Sequence, residues 1–327
     1  MLKSSYFIVG GAGFVGSHFA DRLLSDPSVE RVTAYDNFSS GRHWHVAPHM
    51  DDPRFALIEA DVHDLDLLTT SMEGHQVVIH LASNPDIAAA ATDPAIDFRA
   101  GTVLTHNVIE AARVAGVDEI LYASGSGVYG DVADLEAPED HGPLIPVSTY
   151  AAAKLAGEAM LSSYCYMFGL TGRAFRFGNV VGPRQTHGVG FDFVRRLRAE
   201  PGHLQILGDG QQSKSYIHVQ DVINAVLIAS DRETSPYNVY NVATGDYITV
   251  TEIAGIAIDA LGLDPAEVEL QYTGGDRGWK GDVPVVRLNS DRIIALGWSC
   301  ERSTGDALRA SIDALIQADE AGQFDVS

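Results

Sequence analysis

The chain has 327 residues, 46% hydrophobic and 20% charged, which is enough for a substantial core and excludes a disordered protein. Its formal net charge of −22 argues against a nucleic-acid backbone or an anionic membrane as main partner. A phosphorylated small molecule is still allowed, because local Arg and backbone N–H groups can reverse the field inside a cleft.

The opening "MLKSSYFIVGGAG" passes directly into a strand and a glycine loop, a start that reads as leaving no room for a signal peptide. With two cysteines, Cys165 and Cys300, and no apolar run of membrane-spanning length, a cytoplasmic home is expected. In "VGGAGFVG" the glycines Gly10, Gly13 and Gly16 let the backbone turn, approach a pyrophosphate and pack a helix on the sheet. Phe14 and Val15 lie between them. "RVTAYD" ends on Asp36, followed by Asn37. A carboxylate there accepts both adenosine ribose hydroxyls and repels a 2′-phosphate, so NAD is favoured, while Arg42 nearby keeps NADP open. The neighbouring "HWH", His43 to His45, reads as a polar loop, and no metal site is assigned.

"FALIEAD" and "QVVIHLA" continue the series of buried strands. They place Asp61 and Val62 where an adenine would sit, and Leu81, Ala82 and Ser83 beside the phosphates. "TVLTHNVIEAARVAG" reads as a helix closed by Gly116. "EILYAS" is the next strand, running into "YASGSGVYG" with two candidate hydroxyls, Ser124 and Ser126. A long helix starts near Thr149 and carries "YAAAK". Tyr150 and Lys154 are four apart, so they share one face about 5.4 Å apart along the axis. A free phenol, with a pKa of about 10, is a poor base. An adjacent ammonium stabilises its phenolate for general acid–base work.

Strand–helix alternation implies a Rossmann-like, doubly wound parallel sheet with a smaller, mixed C-terminal region. Residues 1–176 are expected to bind NAD and 177–327 mainly to bind substrate, with a stretch at about 215–245 returning to the sheet. Helices apolar on several sides, "VLTHNVIEAARVAG" and "AGEAMLSSYCYMFG", need a second burial surface, which points to association.

These motifs, with "RFGNVVGPRQ", "LGDGQQSKSYIHVQD" and "GGDRGWKGDVP", resemble the extended short-chain dehydrogenase/reductase family. Within it the chain is similar to NAD-dependent nucleotide-sugar epimerases and dehydratases, above all UDP-glucose 4-epimerases of the archaeal-like type. The resemblance implies tightly held NAD, Tyr150 as the base at a sugar 4-hydroxyl, and a homodimer joined through those two helices. It places Phe177 near the nicotinamide, and Asn179, Val189, Lys214 and Arg277 toward the substrate, with Lys280 competing with Arg277. Leu204, Gln205 and Ile206 are placed at the nucleotide base.

Two departures stand out against the family pattern. Gly125 occupies the place of a catalytic Ser or Thr, which makes Ser126 the preferred substitute and Ser124 the second. Gly101 stands where relatives carry Asn. The 4,6-dehydratases place an Asp-Glu pair before "VYG", and the decarboxylases a Glu; here stand Ser126 and Gly127, which favours epimerisation. A 4-keto reductase and a non-catalytic dinucleotide sensor remain as alternatives.

Overall fold

The computed structural model describes residues 2–84, 86–133, 135–279 and 281–323. Its first strand, β1 (Ser5–Val9), alternates Tyr6 and Ile8 on one face with Phe7 and Val9 on the other, and all four are buried. A strand covered on both faces has no polar side, so its sequence is a continuous apolar run. The chain continues through α1 (Phe14–Leu24), β2 (Arg31–Asp36), β3 (Phe55–Glu59), α2 (Leu65–Met72) and β4 (Val77–His80). It then forms α3 (Leu104–Ala115), β5 (Glu119–Gly125), α4 (Thr149–Phe168) and β6 (Thr171–Phe177). Gly116 ends α3 in the left-handed region at φ 72°, as expected of a glycine cap.

After β6 the chain leaves the sheet for α5 (Val189–Ala199), returns through α6 (Val219–Arg232) and β7 (Tyr237–Val242), and leaves again for α7 (Val250–Ala260) and α8 (Thr304–Glu320). The seven strands run in the order β7-β6-β5-β4-β1-β2-β3, every neighbouring pair parallel. The expected α/β doubly wound sheet is therefore present. On one face α1 and α6 bury Phe19, Leu23, Val222 and Val226 with Ile8 and Phe175. On the other, α2, α3 and α4 bury Leu68, Val108 and Leu161 with Phe7 and Ile120. A third cluster joins α5, α7 and α8 around Phe193, Ile253, Ala254 and Leu308.

Two expectations need correction. β3 is not a buried strand: it closes one edge of the sheet, and its five residues are all half-buried or exposed. "HWH" is not a polar loop either. Residues His43–Val46 form a helical turn, and His45 is fully buried with Nδ1 2.8 Å from the Ala12 carbonyl, a contact that supports the glycine loop. Among the described residues, no helix is long and apolar enough to cross a membrane.

Candidate active site

Where the strand order reverses at β1, a cavity of about 940 Å³ opens over the carboxyl ends of β1, β2, β5 and β6. At its inner end lies the glycine loop. Gly10 has φ +84°, and a Cβ on Gly16 would come 2.2 Å from the Gly10 carbonyl oxygen, so the loop closes only with hydrogen at position 16. Gly13 caps α1 without a side chain, which leaves the first-turn N–H groups facing the cavity beside Phe14 and Val15. Asp36 ends β2 with Oδ2 2.9 Å from the Ala12 N–H and Oδ1 2.8 Å from that of Phe38. Burial raises its pKa, opposed by these backbone donors.

Asn37 donates to Asp61 at 3.0 Å. Burial pulls the Asp61 carboxyl up, but hydrogen bonds from His63 and Asn37 outweigh it and leave it below its usual value. Val62, Leu81, Ala82, Ser83 and Phe177 complete this end of the lining. Arg42 turns its guanidinium onto the carbonyls of Ser40 and Gly41 and lies outside the lining. The cradle, the free helix terminus and the carboxylate together fit a dinucleotide.

Helix α4 begins at Ser148, whose hydroxyl accepts the Ala151 N–H at 3.2 Å and fixes the first turn. Tyr150 and Lys154 therefore face the cavity together, with the Lys154 nitrogen 5.5 Å from the Tyr150 ring centre. Lys154 is 5% exposed and donates to the Ala123 carbonyl at 2.7 Å. Beside it, burial and then the Lys154 charge push the pKa of His80 down to about 3, so its imidazole is neutral.

The two candidate serines part company. Ser124 donates to Glu158 at 2.5 Å and is 6% exposed. Ser126 opens a short 3₁₀ turn, Ser126–Tyr129, lines the cavity half-buried, and its hydroxyl has no hydrogen-bond partner among the described residues. Gly125 between them has open space where a Cβ would stand, with nothing within 4 Å. Gly101 is explained by packing: a Cβ there would lie 2.8 Å from that of Ala153 on α4, so an Asn does not fit this helix contact.

Toward the other end, Asn179 and Val189 line the cavity, and Asn179 also donates to the Ser215 carbonyl at 3.2 Å. Lys214 lines it too, ion-paired with Asp282 at 2.6 Å. Leu204 and Ile206 do not belong there. Both are fully buried in the third core cluster, because the strand His203–Ile206 turns them inward, and the exposed Leu207 lines the cavity instead. Gln205 points to solvent and lies outside the lining, although its carbonyl accepts from Arg196, a lining residue, at 2.9 Å. Arg277 also lies outside the lining, held by Asp131 at 2.6 Å and by the Asp282 carbonyl. Lys280 falls outside the described residues. Trp279, Asp282, Ser148 and Asn84 line the cavity unforeseen; "GDRGWKGDVP" contained two of them without indicating which side chains turn inward.

A family model described as the NAD dependent epimerase/dehydratase family matches residues 6–243. The UDP-glucose 4-epimerase of Mycolicibacterium smegmatis is 32% identical over 313 residues, covering 94% of this chain and 96% of that one. Among solved structures, a UDP-galactose 4-epimerase is similar with a TM-score of 0.84 at 35% identity, over 95% of this chain and 98% of its own. DesIV, a dTDP-glucose 4,6-dehydratase from Streptomyces venezuelae solved with NAD bound, reaches 0.88 at 26% identity, over 97% and 98%.

Proposed function

Because this chain belongs to the NAD dependent epimerase/dehydratase family and takes NAD as its cofactor, we propose that it inverts C4 of a nucleotide-diphosphate sugar, a UDP-hexose above all. The observation that carries this reading is the composition of the wall beside Tyr150. Gly125, Ser126 and Gly127 offer one unengaged hydroxyl and space but no carboxylate for the acid and base that elimination of water needs. The similarity to a dehydratase is thus one of fold, while the chemistry favours epimerisation.

Gly10, Gly13, Gly16 and Asp36 would hold NAD, and the bound group would supply the reversible hydride acceptor that inversion of a carbinol carbon needs. The residues of this chain handle the proton and the geometry. Tyr150 exchanges a proton with the C4 oxygen, and the Lys154 ammonium favours the anionic form of the phenol during that exchange. Ser126, with its hydroxyl unengaged, is the candidate donor to the same oxygen. Asn179, Val189 and Lys214 border the diphosphate end. A homodimer is part of the proposal: α3 and α4 leave Val114, Tyr166, Met167 and Phe168 at least half exposed, an apolar surface suited to a second copy.

The test incubates the protein with UDP-galactose, UDP-glucuronate and UDP-N-acetylgalactosamine and follows the C4 isomers by NMR. Tyr150→Phe is expected to lower turnover about a hundredfold or more while NAD stays bound, because one hydroxyl leaves the chemistry and little leaves the cofactor site. Near-normal turnover in that variant would remove Tyr150 from the reaction. Release of a 4-keto-6-deoxy sugar by the parent protein would replace epimerisation with dehydration.

A further inference from the structure

Helix α4 presents three ionisable side chains at four-residue intervals, Tyr150, Lys154 and Glu158, and this spacing lays them along one face. On an isolated helix, a lysine and a glutamate four apart are natural ion-pair partners. Here each is taken by the sheet. Lys154 donates to Ala123 on β5 and stands 5.5 Å from the Tyr150 ring centre and 5.4 Å from that of Tyr122.

Glu158, 4% exposed, is gripped from two strands. Arg176 on β6 donates from Nε to Oε1 at 3.0 Å and from Nη2 to Oε2 at 2.7 Å, a two-pronged contact. Ser124 on β5 donates to the same Oε1 at 2.5 Å. The remaining Arg176 nitrogen is spent on the Tyr129 hydroxyl at 2.9 Å and the Glu139 carbonyl at 3.2 Å, so the guanidinium has nowhere else to go.

We propose that Arg176, Glu158 and Ser124 form a clamp that positions the Tyr150–Lys154 pair. The clamp occupies the carboxylate that would otherwise draw Lys154 down the helix. It also fixes the strand end whose Ala123 carbonyl holds the ammonium beside Tyr150. The idea rests on the reading that these two residues move the proton. Ser124 then acts through Lys154, as a positioning residue, and the substrate hydroxyl contact is left to Ser126.

The other groups facing the pair leave this account intact. His80 on β4 is neutral, and Tyr122 on β5 is pushed far above its usual range by burial. Asp97 is engaged by Asn84 at 2.9 Å and by the Thr149 hydroxyl at 2.6 Å. Glu158 is therefore the carboxylate whose release would compete for Lys154.

Two variants test this. Arg176→Lys keeps a charge but loses the fork, and Ser124→Ala removes one small hydroxyl from a carboxylate that keeps Arg176. Each is titrated in the NAD-loaded protein by ultraviolet phenolate absorption, taken as the difference from the same variant also carrying Tyr150→Phe. The phenolate is expected to form about half a pH unit to one unit higher than in the parent. Turnover at neutral pH should fall roughly 3- to 10-fold and recover at alkaline pH, with KM little changed. An unmoved phenolate titration in a folded Ser124→Ala or Arg176→Lys protein would overturn the clamp, as would a loss of rate equal at every pH. The absorption readout needs no sugar, so a parent protein that epimerises nothing counts against the reaction while the clamp is still decided.

Discussion

Gly125 is a glycine that neither backbone nor packing requires. Its φ of −163° and ψ of 159° suit any residue, and an added Cβ meets nothing within 4 Å. Gly125→Ser is therefore expected to fold with an unchanged Tm, place a hydroxyl on the cavity wall, and raise turnover of an unsubstituted UDP-hexose several-fold. Gly16→Ala is the contrast. Its Cβ would come 2.2 Å from a backbone oxygen, so a loss of about 1–3 kcal/mol and release of NAD are expected, read by thermal melting and by nucleotide content. Both glycines are visible in the sequence, but only the fold separates the one that is packed against from the one that faces open space. The same holds for the serines. Alternation along β5 sends Ser124 to the α4 side and leaves Ser126 beyond the strand end, at the cavity.

At the scale of elements, the first turn of α4 sets where Tyr150 stands. Ser148→Ala removes the side-chain cap two residues before Tyr150 and should cost about 1 kcal/mol. If capping also fixes the phenol, turnover falls several-fold at temperatures well below the melt, which pairing a denaturation curve with a rate assay will show. Elements of this kind were legible: the apolar runs gave five of the sheet strands, and local spacing gave the glycine loop and the Tyr-Lys pair. Contacts distant in sequence were not. Periodicity cannot say that β3 lies at an edge, or that Leu204 and Ile206 feed a core built with α5, α7 and α8. Glu158 and Arg176 sit on different elements, and nothing in their local sequence announces that one holds the other.

For the molecule as a whole, burial of neutral histidines sets an acid limit. Burial holds His45, His75 and His218 at about 4 and His80 at about 3. In the unfolded chain each titrates near 6.5, so between about pH 6.5 and 4 the unfolded state binds protons that the folded state refuses. Stability must therefore fall as pH falls through that window, by on the order of 2–3 kcal/mol per histidine across it. The raised carboxyls of Asp36, Glu119 and Asp221 act in the opposite sense and offset part of the loss toward its acid end. Calorimetry is expected to show Tm dropping on the order of 10 °C between pH 7 and 5. A Tm that stays level to pH 5 would refute the argument.

The route of the chain after β6 has a further consequence. β7 lies against β6 in register from Gly172 to Phe177, and α6 roofs one face of the sheet, yet both arrive only after the excursion through α5. A scission after residue 176 would give a leading fragment with a raw parallel edge and a bald greasy flank, a species prone to self-adhesion rather than a miniature cofactor binder. Ribosomal synthesis must thus run past residue 242 before the dinucleotide half can close. Evolution, for its part, cannot trade the region outside the sheet for another by simple end-to-end fusion.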